Sequence, residues 1–88
     1  MGEMEAAAEM TPEAHKAMVQ GMVERLAERL ASEGGSAAEW ARLVTALATL
    51  GETTRARAIR DEAEGVFAAG PGDLALIRAA AAAAGIGE

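Results

Sequence analysis

The sequence contains no cysteine and no tyrosine, and its aromatics are one tryptophan, Trp40, and one phenylalanine, Phe67. Without cysteine there is no disulfide, no thiolate nucleophile and no cysteine-ligated metal. β-Branched residues are few and scattered, which disfavours a sheet. No apolar run approaches the roughly 20 residues that span a bilayer; the alanine stretch from Ala79 to Ala84 is too short. Basic residues are also scarce, 8 against 14 acidic ones, for a net charge of −6. That balance argues against the basic face needed for a nucleic-acid partner or an anionic membrane surface. The first ten residues, MGEMEAAAEM, are acidic where a secretory signal would be basic.

What remains is a chain of helix formers. Alanine, leucine, valine and methionine supply most of the apolar half, and alanine, leucine, glutamate, arginine and methionine all favour helix. The 88 residues are enough for one domain. A domain of that size buries only about 60–65% of the surface its unfolded chain exposes, so its core is thin.

Punctuation along the chain predicts four helices. Residues 1–10 show no apolar face and read as a flexible leader to a single helical domain over 11–88. Thr11-Pro12-Glu13 offers a capping hydroxyl, a proline for the first helical position and an acid for the first turn. Val19, Met22, Val23, Leu26 and Leu30 then recur at helical spacing until Gly34-Gly35. Ser36 and Glu39 fit a capping box. The second helix carries Trp40, Leu43, Val44, Leu47 and Leu50 on one face and stops at Gly51. A third begins near Thr53 or Thr54 and is expected to bury Ala56, Ile59, Ala63, Val66 and Phe67. Gly70-Pro71-Gly72 breaks the chain, and Asp73 is the expected cap of a fourth helix presenting Leu74, Ile77 and Ala81. Gly85 followed by Ile86 fits a Schellman ending.

The second and fourth helices overlay at one constant offset: Glu39 on Asp73, Trp40 on Leu74, Leu43 on Ile77, Leu47 on Ala81, Gly51 on Gly85. That offset matches the tetratricopeptide period of about 34 residues, and Trp40, Leu43, Leu47, Gly51 and Ala56 sit at consensus spacings. Val44, Thr53 and the late Pro71 depart from the pattern. The predicted fold is all-α, about four helices in tetratricopeptide-like antiparallel hairpins. So few units stabilise one another weakly, which points to low stability, a homodimer or further neighbours.

No catalytic constellation is visible, so no enzyme activity, cofactor or metal is predicted. His15 is the only histidine and has no cysteine, second histidine or acid cluster to partner it. The glycine-rich turns lack the strand and lysine of a phosphate loop. Met18 and Met22, one turn apart, suit either core filling or an adaptable peptide patch. In the third helix Arg55, Arg57 and Arg60 precede Asp61, Glu62 and Glu64, against the helix dipole. Pairing of Arg57 with Asp61 and Arg60 with Glu64 would explain that order; an anion or acidic-peptide site is the alternative. The second and third helices also have the outline of a DNA-binding helix-turn-helix, which the net charge opposes.

Several runs resemble a known family. They are Met10-Thr11-Pro12-Glu13, the stretch from Met18 to Leu30 (MVQGMVERLAERL), Gly34-Gly35, Glu39-Trp40-Ala41-Arg42-Leu43, and the stretch from Leu50 to Ala58 (LGETTRARA). Together they resemble the periplasmic tetratricopeptide region of the CcmI (CycH) family of cytochrome c biogenesis factors, over residues 9 to about 86. The resemblance implies a periplasmic domain of an inner-membrane-anchored parent. It also implies a role in holding an apocytochrome c segment, notably a C-terminal helical one, among other cytochrome c maturation proteins, for haem ligation. In such an array the first helix of each pair lines the concave wall. The expected peptide-binding residues are therefore Ala41, Arg42, Thr45, Ala48 and Thr49 on the second helix and Ala75, Arg78 and Ala79 on the fourth, beside Ala38 and Ala82.

Overall fold

The first helix opens as its sequence dictates: the Thr11 hydroxyl oxygen accepts from the Ala14 N–H at 3.0 Å, and Pro12 takes the first helical position. The computed structural model describes residues 11–87; the expected leader, 1–10, lies outside them. Four α-helices follow in order: α1 Pro12–Glu33, α2 Ala37–Thr49, α3 Thr53–Val66 and α4 Pro71–Ala83. They are joined by short turns into helical hairpins, and the described residues contain no strand.

The ends of the helices are set by local chemistry. Gly34, at φ 75°, ends α1 and returns its N–H to the Leu30 carbonyl. Ser36 and Glu39 form the complete capping box on α2, at 3.1 and 3.3 Å. α2 and α4 then finish alike. Gly51 N–H bonds Ala48 O and Glu52 N–H bonds Leu47 O, while Gly85 N–H bonds Ala82 O and Ile86 N–H bonds Ala81 O. Each is a Schellman pair.

The fourth helix starts earlier than its sequence suggests. Asp73 is not its cap; Gly70 is, with Pro71 first in the helix and Asp73 in the first turn. Proline's fixed φ and missing N–H suit the first helical position, and that decides the start. The caps Ser36 and Gly70 therefore stand at the same offset as the terminal glycines Gly51 and Gly85.

The core is built around α2. Leu43, Val44 and Leu47 are fully enclosed, Trp40 nearly so, and α2 packs closely against α3 and α4 and more loosely against α1. Full burial of each large aliphatic side chain contributes about 1.5–3 kcal/mol. α3 meets the core through Ala56 and Ala63, both fully buried. α1 meets it through Val23 and Leu30, at the same seven-residue spacing, with Leu26 packed alongside as Ile59 is on α3. Small residues let α3 come close to both α2 and α4, whereas the bulkier pair holds α1 further out.

Two details differ from expectation on α3. Val66 is 58% exposed rather than buried, and Ile59 and Phe67 are only partly covered. Val66 lies in the last turn, to the side of the Ala56–Ala63 line. Beyond α4, Ile86 folds back into the core, and Arg60 Nη1 donates to its carbonyl at 2.6 Å. The molecule measures 51 × 27 × 20 Å. α1, at about 33 Å, overhangs its neighbours, and residues 11–18 are all exposed.

Candidate functional site

The register between α2 and α4 sorts the expected binding residues into three groups. Arg42, Thr45 and Thr49 are exposed along one strip of α2, with Ala38 one turn before them. Ala48 is half-buried at its edge. Ala41 is 8% exposed and belongs to the core, which corrects its assignment to the open face.

On α4 the same register separates Ala79 from Ala75 and Arg78. Ala79 corresponds to Thr45 and continues the α2 strip. Ala75 and Arg78 correspond to Ala41 and Val44, both buried in α2, yet both are exposed in α4. They lie on the flank that a further helix would cover. Arg78 is also engaged, its Nε 3.3 Å from Oε2 of Glu64 on α3. The residue on α4 that corresponds to Arg42 is Leu76, 43% exposed and absent from the expected set. Applying the offset to Arg42 in the sequence would have found it. The inner strip thus runs through Ala38, Arg42, Thr45 and Thr49 on α2 and Gly72, Leu76, Ala79 and Ala83 on α4.

The hydroxyls have local duties. Thr49 Oγ1 donates to the Thr45 carbonyl at 2.9 Å, and Ser32 Oγ to that of Glu28 at 2.9 Å. For a partner, Thr49 offers its oxygen as an acceptor and Thr45 a free donor.

α1 supplies a second surface. Met18 and Met22 are 48% and 54% exposed, so of their two readings core filling falls away and a surface patch is left. Beside them His15, Lys16 and Val19 of α1 meet Thr49 and Leu50 at the end of α2 in a cleft of about 320 Å³. A groove of about 380 Å³ lies between α1 and α3, lined by Glu24, Arg25, Ala27, Glu28 and Ala31 of α1 and by Arg55 and Ile59 of α3.

The expected i,i+4 pairs of α3, Arg57 with Asp61 and Arg60 with Glu64, do not form. Arg55 reaches across to Glu24 of α1, with Nη2 at 2.7 Å from Oε1, and lies 3.7 Å from Glu52. Arg60 pairs with Asp61 and the Ile86 carbonyl, and Glu64 with Arg78. Packing brings Arg78 of α4 to Glu64 and the Ile86 carbonyl to Arg60, and these contacts stand in place of the Arg60–Glu64 pair. The Arg55 hydrogen bond holds the Glu24 carboxyl below the usual carboxylate range. Glu39 is lowered in the same way, first by the hydrogen bond from Arg29 and then by the Ser36 N–H.

Among the described residues no three histidine or acidic side chains are grouped to hold a metal ion. No helix among them is long and apolar enough to cross a membrane. The arrangement offers extended contact surface: an inner strip of small and polar side chains, and an apolar cleft at its α1 edge.

Comparison with protein-family models, with curated proteins and with solved structures returns no match to this chain.

Proposed function

We propose that this protein is a polypeptide-holding module of tetratricopeptide-like type, with no chemistry of its own. One observation carries the reading: α2 and α4 repeat at a single offset in their caps, their Schellman ends and their exposed inner strips. Repeating helices in register produce a continuous wall, and such walls bind helical or extended segments. Arg42, Thr45, Thr49, Leu76 and Ala79 are the side chains that would meet the client; Ala48 contributes at the edge. On the family resemblance of the sequence, the client is an apocytochrome c segment held for haem ligation. The setting would then be the periplasm, with the parent chain anchored in the inner membrane.

The test is a calorimetric titration with a peptide from the C-terminal helix of an apocytochrome c, paired with amide chemical-shift mapping. Saturable heat with shifts clustered on the inner strip of α2 and α4 supports the reading. No heat and no shifts at high micromolar peptide would overturn it.

A second reading, self-association, has the exposed Met18 and Met22 in its favour. Sedimentation over a wide concentration range separates the two, since a monomer throughout eliminates the scaffold.

A further inference from the structure

Both ends of the helical array carry a bare face. On α4, Pro71, Ala75, Arg78 and Ala82 recur at helical spacing, so they share one side, and all are exposed. The repeat places them on Ala37, Ala41, Val44 and Ala48 of α2, which are buried or half-buried. α2 has α3 and α4 packed after it, whereas no described helix follows α4.

At the other end α1 shows the counterpart. Carried back by the offset that relates α4 to α2, α3 falls on α1. Arg60 donates to the Ile86 carbonyl and Glu64 accepts from Arg78. These two fall on Leu26 and Leu30, which pack into the core beside α2. Ala56 and Ala63, buried in α3, fall on Met22 and Arg29, and those are exposed. α3 lies between α2 and α4, but α1 comes close to α2 alone. The α1 face that answers to the contact of α3 with α2 therefore stands open. It is turned away from α3. Met22 precedes Val23, about 100° round one way, while Ala27 and Ala31 of the α3 groove lie round the other way. Met18, one turn before Met22, extends the face.

α4 thus lacks a following helix of the α3 kind, and α1 is a helix of that kind with no described helix before it. Resting on the self-association reading, we propose that a second copy fills both places: α1 of one copy packs on the Ala75–Ala82 flank of α4 of another and repeats the α2–α3 contact between chains. The two faces differ, so the contact runs head to tail. The inner strip stays open, as it does on α2 with its flank covered.

Charge agrees with this register. Arg25 makes no ion pair among the described residues. It falls on Ile59, which shares the α1–α3 groove with Ala27 and Glu28, and those two fall on Asp61 and Glu62. Across the joint Arg25 meets Asp61 and Glu62 of the neighbouring copy. Arg78 stands where α2 carries Val44, so the joint between chains is weaker than the one within a chain.

Sedimentation velocity tests this with two variants. Met18→Glu with Met22→Glu spoils the α1 face, and Ala75→Glu with Ala82→Glu spoils the flank. All four residues are exposed and glutamate favours helix; circular dichroism will verify that the helices persist. The unmodified chain should gain mass between about 10 μM and about 1 mM. Each variant alone should stay monomeric, and an equal mixture should form a one-to-one dimer, because one intact flank meets one intact α1 face. Arg25→Glu should weaken association at least about fivefold, and adding Glu62→Arg should restore it. An unmodified chain that is monomeric throughout overturns both the proposal and the self-association reading, and leaves polypeptide holding standing. If that chain associates but either variant still does so alone, the mixture stays monomeric or Arg25→Glu changes nothing, the head-to-tail contact falls and self-association by another face stands.

Discussion

Gly51 and Gly85 share one left-handed backbone conformation, φ 83° and 80°, at equivalent points of the repeat, and each closes its helix with the same two backbone bonds. The repeat is therefore written into hydrogen bonding as well as side-chain pattern. The chain turns at the same point after two helices of 13 residues each.

Those two glycines should not tolerate a side chain. An added Cβ meets nothing within 4 Å at either position, so the cost is torsional. Gly51→Ala and Gly85→Ala should each lose about 1–2 kcal/mol in urea unfolding. Gly65, inside α3 with open space around it and no positive φ, should behave oppositely. Gly65→Ala should gain about 0.5–1 kcal/mol.

The α2 cap can be tested alone. Ser36→Ala removes the oxygen that accepts the Glu39 N–H and dismantles the box. A loss of about 0.5–2 kcal/mol in chemical denaturation is expected. α4 begins at Gly70 without a side-chain cap bond, so the same substitution there has no such bond to remove.

Close packing of α3 predicts intolerance of added volume. Ala56 and Ala63 are fully enclosed. Ala56→Leu or Ala63→Leu should cost about 1–3 kcal/mol or more, read as a lowered thermal midpoint. Leu47→Ala, at the centre of α2, should cost about 2–5 kcal/mol by leaving a cavity.

Stability should fall in acid for a traceable reason. Glu24 and Glu39 titrate below their ordinary values in the folded chain because Arg55 and Arg29 hydrogen-bond them. A depressed folded-state value stabilises above the unfolded value of about 4.3, and that contribution is lost as pH falls through the folded one. Thermal midpoints should be flat between about pH 7 and 5 and decline below about 4.5. Glu24→Gln with Glu39→Gln should flatten the decline. Both pairs are exposed, so screening keeps the effect modest and salt should reduce it.

Much of the fold was legible from short-range signals. Thr11-Pro12, the Ser36–Glu39 box, Gly34, Gly51 and Gly85 act within about four residues of themselves, and each helix end they mark is found. Asp73 misled because two capping signals compete within a few positions, and the proline's restricted φ prevails over the carboxylate.

The candidate surface was legible only in part. Arg42, Thr45, Thr49 and Ala79 are exposed on the inner strip as expected; Ala41 is not, and Leu76 was overlooked. The exposed Met18 and Met22 carry no sign of their burial in the sequence, because methionine suits either environment.

By itself the sequence determined four helices, their ends apart from the start of α4, and the period that relates α2 to α4, since backbone hydrogen bonds are satisfied locally by neighbours in the chain. Only the tertiary structure decided which faces are covered. Ala41 and Ala75 are the same residue at the same point in the repeat, yet one is buried and the other bare. α2 is flanked by helices on both sides and α4 on one. Arg55 likewise found Glu24, far back in the chain, because packing brought α1 and α3 within side-chain reach.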